Sequence, residues 1–345
     1  MTFAHLLAAT TDERFLSGFR WPILVGAIAC VVSMLLTPVV KTLAFKYGAV
    51  DDPKRDDRRV HREPLPRWGG IAIYIGFLLA VLVGLPFAYP GQPFPLYVIG
   101  VLGLGGIVVV AGALDDLHQF SAKIQLALLL LVGVAIQFFG SPKAVVQIQG
   151  ISWPPGSNAG QWVAFGIWAI PLTAIYVFVV TKTMDTIDGI DGLASGIASI
   201  SGATLSIIAT YEGQPRVALL AAALSGAALG FIRHNYNPAK IIMGTGGAQF
   251  LGFCLAALSI VGAMKTAAAL AILIPLFVFG VPLFDAVQVV IRRKLSGVPI
   301  TQADKRHIHH QLLDRGLSQR QAVWVLYSIA IALCALLVFA VRFYG

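Results

Sequence analysis

Residues 161–192, QWVAFGIWAIPLTAIYVFVVTKTMDTIDGIDG, decide the fold. The first part, 161–181, is an apolar run of the length a helix needs to cross a bilayer, about 20 residues. Asp185, Asp188 and Asp191 then follow within a few positions. A carboxylate at the centre of a membrane helix costs roughly 2.5–3.5 kcal/mol, so the three mark the edge of the hydrocarbon. Their i, i+3, i+6 spacing puts them on one side of a helix, about 120° wide. Such a cluster calls for a cation, a proton or a phosphorylated ligand. Gly189 and Gly192 leave the backbone free to turn or to approach that ligand.

Similar apolar runs lie on both sides, at 21–45, 70–90, 96–114, 124–140, 193–211, 216–232, 249–264, 266–291 and 321–341. With 161–181 they predict about ten transmembrane helices, an all-α integral membrane protein forming a single polytopic domain over 1–345. Pro275, Gly280 and Pro282 predict a kinked or broken helix within 266–291, just before Asp285. The alternating Val146-Gln147-Ile148-Gln149 predicts a strand of a small hairpin ahead of the Trp153-Pro154-Pro155-Gly156 turn. Asp12 and Glu13 precede Arg14, so residues 1–20 read as a short extracytoplasmic segment rather than a cleaved signal.

Composition agrees. The chain is 57% hydrophobic and only 12% charged, which excludes an ordinary soluble domain. Its isoelectric point near 9.6 does not imply nucleic acid, because the basic residues occupy short loops between spans. Lipid headgroups and phosphorylated substrates are the expected partners. Loops 48–68, 115–123, 182–192, 233–248 and 292–320 hold 17 Lys and Arg, and the intervening loops hold only Lys143, Arg216 and Lys265. The positive-inside rule puts the first set in the cytoplasm of a multi-pass inner (plasma) membrane protein. Cys30, Cys254 and Cys334 stand singly in apolar runs and read as packing residues.

Every other chemical motif lies in that cytoplasmic set. Asp115-Asp116 follows an apolar run, where a carboxylate pair can hold a divalent cation or supply a base. The loop Asp51-Asp52-Pro53 through Arg58-Arg59-Val60-His61 to Pro66-Arg67-Trp68-Gly69-Gly70 has six basic and five acidic residues. It reads either as a solvated loop or as guanidinium groups placed for a diphosphate. Asn235-Tyr-Asn237-Pro238 leads into Met243-Gly244-Thr245-Gly246-Gly247, whose backbone N–H groups could face phosphate. Asp304-Lys-Arg306-His307-Ile-His309-His310 lacks the ligands of a tetrahedral zinc site and suits phosphate or sugar contacts. The oxygen-rich donor set favours Mg2+, with Mn2+ as an option.

Taken in order over about residues 45–320, these motifs resemble the polyprenyl-phosphate N-acetylhexosamine-1-phosphate transferases, membrane enzymes related to phospho-N-acetylmuramoyl-pentapeptide transferase. The resemblance rests on D-x-P…R-R-x-H…P-x-P-x-x-G-G at 51–70, DD at 115–116, D-G-x-D-G-L at 188–193, N-x-x-P-A-x-I-x-M-G at 235–244 and H-I-H-H at 307–310. It implies transfer of a sugar 1-phosphate from a UDP-sugar, by default UDP-GlcNAc, to undecaprenyl phosphate with release of UMP. A homodimer is compatible with the resemblance. By the same resemblance Asp115 and Asp116 meet the acceptor phosphate, one as a candidate base. Asp188 and Asp191 face the nucleotide or the metal's water shell, and Arg58, His61, Lys123, Asn235, His307, His309 and His310 contact donor groups or the diphosphate. Asp285 is expected to line the site beside the broken helix.

The chain departs from the family pattern at four positions. Lys182 and Asp185 stand where the family usually has Asn, Thr245 stands where it has Asp, and Gln125 stands where a basic residue is common. The family's metal is held at the positions of 185 and 245, so Mg2+ is expected on Asp185 with Thr245 as a weak or water-mediated partner. Three rival readings remain at this stage: a binding protein of this family that has lost its metal, a membrane prenyltransferase, and a carrier of lipid-linked sugar.

Overall fold

The computed structural model describes residues 13–51, 64–141, 144–153, 161–263, 279–295 and 308–344. The long helices are α1 (Glu13–Lys46), α2 (Gly69–Ala88), α3 (Leu96–His118), α4 (Ala122–Ala135), α5 (Ala169–Ile187), α6 (Leu193–Tyr211), α7 (Pro215–Asn235), α8 (Gly244–Ala263), α9 (Gly280–Leu295) and α11 (Gln319–Tyr344), with a short α10 (Ile308–Asp314) before the last. Nine helices among the described residues are long and apolar enough to cross a membrane. This is an all-α multi-pass membrane protein. Helices prevail because hydrocarbon offers backbone groups no partners outside their own segment.

The first half of the ninth expected span, residues 266–278 of 266–291, falls outside the described residues. Its described part opens α9 at Gly280, with Pro282 in the first turn, where a missing N–H breaks no helical bond. Two other expectations are corrected. The hairpin pairs β3 (Gly150–Trp153) with β4 (Gln161–Ala164), Gly150 opposite Ala164, so its strand begins just after the alternating 146–149 segment. The apolar run at 161–181 accordingly divides between β4 and α5, which starts at Ala169. Trp162 and Trp168 near the hairpin are strongly exposed, as aromatic side chains at a membrane interface tend to be.

α8 is the central helix, almost wholly buried and packed against α3 and α5, with α2, α6 and α7 around it. α1 closes the outside against α7 and α2. Cys254 and Cys334 are buried and unbridged, as the apolar setting implies. Because successive spans alternate in direction, the starts of α2, α4, α6 and α8 gather with the ends of α3, α5 and α7 at one end of the bundle. A short pair, β1 (Val50–Asp51) with β2 (Leu65–Pro66), lies at the same end.

Candidate active site

Bare backbone lets three helices meet at this end. A Cβ on Gly112 of α3 would fall 2.2 Å from the Cα of Gly246 on α8, and one on Gly70 of α2 would fall 2.3 Å from the Cα of Gly247. Ile242 donates its N–H to the Pro66 carbonyl at 3.0 Å, and Gly70 donates to the Met243 carbonyl at 2.9 Å. The indole N–H of Trp68 reaches the Ala113 carbonyl at 3.0 Å. The 64–70 and 235–247 segments are thereby fastened to the last turn of α3, which carries Asp115 and Asp116.

Both of those carboxylates are buried, and each is held by a different helix. Arg67 bridges Asp116 and Asp51, with Nη1 3.2 Å from Asp116 Oδ1 and Nη2 2.5 Å from Asp51 Oδ1. The backbone N–H of Thr245 also reaches Asp116 Oδ1, at 3.2 Å. Asp115 instead accepts the Phe120 N–H at 2.7 Å and the Gln125 amide N–H group at 3.2 and 3.1 Å on its two oxygens. The other end of Gln125 accepts from Lys182 Nζ at 2.9 Å, and Lys182 also lies 2.5 Å from Asp185 Oδ2. A continuous polar ladder, Asp115–Gln125–Lys182–Asp185, therefore runs from α3 across α4 to α5.

Asp188 sits where the two halves meet. It keeps a solvent-accessible edge, yet burial, then the like charges of Asp185 and Asp116, pushes its carboxyl well above the usual range against the opposing pull of Arg67. Asp191 is turned inward. Its Oδ2 accepts Asn237 Nδ2 at 2.9 Å and the Ala239 N–H at 3.0 Å, fixing the turn that leads to α8.

Two residues expected at the ligand also have internal partners. Asn235 is 2% exposed, takes the Gly192 N–H at 3.0 Å and the Ser195 hydroxyl at 3.2 Å, and donates to the Ile241 carbonyl at 3.0 Å. It ties the starts of α6 and α8 together from inside the protein. Asp285, also 2% exposed, accepts the Ile308 N–H at 2.7 Å, so it holds the start of α10, the helix that carries His309 and His310. Lys123 is exposed on the first turn of α4. Arg58, His61 and His307 lie outside the described residues, as do the side chains of His309 and His310.

Sequence reasoning passed over Arg67, Gln125 and Lys182 as site residues. Arg67 stood inside a quoted motif, and Lys182 lies one turn ahead of Asp185, a spacing that puts the two on one helix face. The donor chemistry suits a hard divalent ion. Asp51 and Asp116 share Arg67, Asp185 holds Lys182, and the charges of Asp185, Asp116 and Asp191 act on Asp188, although among the described residues no three of these carboxylates converge on one metal position. Asp185 and Thr245 point to different partners, Lys182 and Asp116. This concentration of ionisable groups at one end of the bundle also argues against a carrier, whose sites lie near the membrane midplane.

The family model for glycosyl transferase family 4 matches residues 98–263. A Bacillus subtilis protein described as a probable undecaprenyl-phosphate N-acetylglucosaminyl 1-phosphate transferase is 36% identical over 92% of this chain and 83% of its own length. The decaprenyl-phosphate N-acetylglucosaminephosphotransferase of Mycolicibacterium smegmatis is 31% identical over 94% of the chain and 83% of its own. The undecaprenyl-phosphate alpha-N-acetylglucosaminyl 1-phosphate transferase of Escherichia coli K12 is 29% identical over 86% and 77%.

Proposed function

Because this chain belongs to the polyprenyl-phosphate N-acetylglucosaminyl 1-phosphate transferase family, we propose that it moves GlcNAc 1-phosphate from UDP-GlcNAc to undecaprenyl phosphate. The observation that carries the reading is the meeting of the Asp115-Asp116 pair with Asp185 and Asp188 at one edge of the apolar bundle. A lipid acceptor arrives from the bilayer and a nucleotide donor from water, so only such an edge serves both. The excess of Lys and Arg in the loops on this side supports a cytoplasmic site in the inner membrane.

The reaction is an in-line phosphoryl transfer. An oxygen of the acceptor phosphate attacks the donor phosphorus that bears the sugar, and the bond from that phosphorus to the bridging oxygen breaks. UMP leaves with the electron pair, so no oxidant or reductant is required. The acceptor phosphate is already substantially ionised at neutral pH, so the main task is positioning and charge stabilisation. Asp115 and Asp116 orient the acceptor end, and Arg67, resting on Asp116, supplies a planar fork of donors for phosphate oxygens. Asp188 faces the donor side. Asp185, with Thr245 as a weak or water-mediated partner, would hold Mg2+ only after turning from their present partners, Lys182 and Asp116; the ion when bound would supply positive charge against the diphosphate.

The test is thin-layer separation of lipid products from the purified protein given undecaprenyl phosphate and, in turn, several labelled UDP-sugars. A labelled lipid from UDP-GlcNAc is expected. Absence of lipid product from every UDP-sugar would overturn the reading.

A further inference from the structure

We infer that Lys182 on α5 is the cation that receives the donor's diphosphate, standing against Gln125 of α4. The inference rests on the function proposed above and deepens it. Its basis is the placement of one ammonium group. Lys182 Nζ stands 2.9 Å from Gln125 Oε1 and 2.5 Å from Asp185 Oδ2, so positions 125 and 182 meet directly although 57 residues separate them. The Lys182 side chain is 40% exposed while its partner Asp185 is 16% exposed. The cation is thus the accessible member of the pair, open to an anion arriving from water.

The chemistry of Gln125 fits this arrangement. An amide can donate to Asp115 with one end and accept from Lys182 with the other, as it does here. A lysine at 125 can only donate, and would place a second ammonium against the first. The amide on α4 and the cation on α5 are therefore matched to each other. An ammonium on a flexible stem can leave Gln125 for a phosphate oxygen while Asp185 holds its other side. Arg67, engaged by Asp51 and Asp116, serves the other half of the site.

A merely structural role, in which Lys182 only neutralises Asp185, predicts something different, and UDP binding to the full-length protein in detergent separates the two. Affinity is measured by calorimetry, once in EDTA and once in excess Mg2+, with thermal unfolding recorded for each variant. Lys182→Asn should weaken UDP binding about ten-fold or more in both media, the scale of one charge-assisted hydrogen bond. Gln125→Lys with Lys182→Asn, which returns the cation from the other helix, should recover most of it. Lys182→Asn with Asp185→Asn should remain weak in EDTA, and Lys182→Arg should bind. Unchanged binding by Lys182→Asn, weakening only with Mg2+, or recovery through Asp185→Asn rather than Gln125→Lys would each overturn the assignment. Failure of the unaltered protein to bind UDP in either medium would overturn the proposed function along with it.

Discussion

The carboxylate of Asp285 on α9 accepts the backbone N–H of Ile308, the first residue of α10 and 23 positions further along the chain, at 2.7 Å. A helix start leaves N–H groups without intrahelical partners, and here a buried side chain from another helix takes one of them. Asp285→Ala removes that acceptor and should cost about 1 kcal/mol, the usual value of a lost helix cap. Because α10 carries His309 and His310, steady-state kinetics should show a several-fold rise in the donor KM with a smaller fall in kcat. Asp285→Asn keeps an acceptor oxygen and should stay close to the unaltered protein. Equal damage from both substitutions would contradict a capping role.

Arg67 holds two buried carboxylates, Asp51 and Asp116, with one guanidinium. Removing it takes this shared cation from both. Breaking a buried pair from one side costs roughly 3–5 kcal/mol, and the partial exposure of Arg67 places Arg67→Ala near the lower end, about 3 kcal/mol. Arg67→Lys keeps the charge without the fork and should lose less stability than activity. Thermal unfolding beside initial rates checks both statements.

Asp188 predicts a dependence on pH with a definite sign. Its folded-state pKa is raised by burial and by neighbouring carboxylates. Between the ordinary carboxylate range and that raised value, the folded chain keeps a proton that the unfolded chain has released. Stability therefore falls as pH rises through this window, opposite to a salt-bridged aspartate. Asp188→Asn should flatten that slope and stabilise the ligand-free protein at pH 8 while abolishing transfer. Unfolding midpoints from pH 5 to pH 8 provide the check, and an Asn variant that is less stable at pH 8 would contradict the assignment.

Gly112 and Gly246 let α3 and α8 touch through their backbones. A methyl group on Gly112 would lie 2.2 Å from a backbone carbon, far inside van der Waals contact, and neither helix can yield without moving Asp115 and Asp116. Gly112→Ala should reduce activity by more than a hundred-fold if the helices part by about 1 Å, because that misplacement alone costs about this factor. Gly103, on the same helix with open space around it, should tolerate alanine. The two rates measured side by side make the comparison.

Much of the fold could be read from the apolar runs, because span length and the charge bias of the loops act along the chain. The acidic motifs were legible for a related reason: carboxylates beside hydrocarbon need a purpose. The partnerships were not. Arg67 finds Asp116 across 49 residues and Lys182 finds Gln125 across 57, and no local spacing encodes either meeting. Asn235 and Asp285 show the converse difficulty. Both side chains supply internal partners to converging helix termini, a duty that no local spacing encodes. The hairpin illustrates a third limit, since the alternating pattern at 146–149 lies directly before the strand that forms at 150–153.

The most direct measurement follows the donor's own phosphorus. UDP-GlcNAc labelled with 32P on the phosphate that bears the sugar is incubated with the protein and undecaprenyl phosphate, and the lipid and nucleotide fractions are counted. The account predicts 32P in the lipid and one unlabelled UMP released for each labelled lipid formed. Release of 32P-labelled UDP, with sugar alone passing to the lipid, would contradict it.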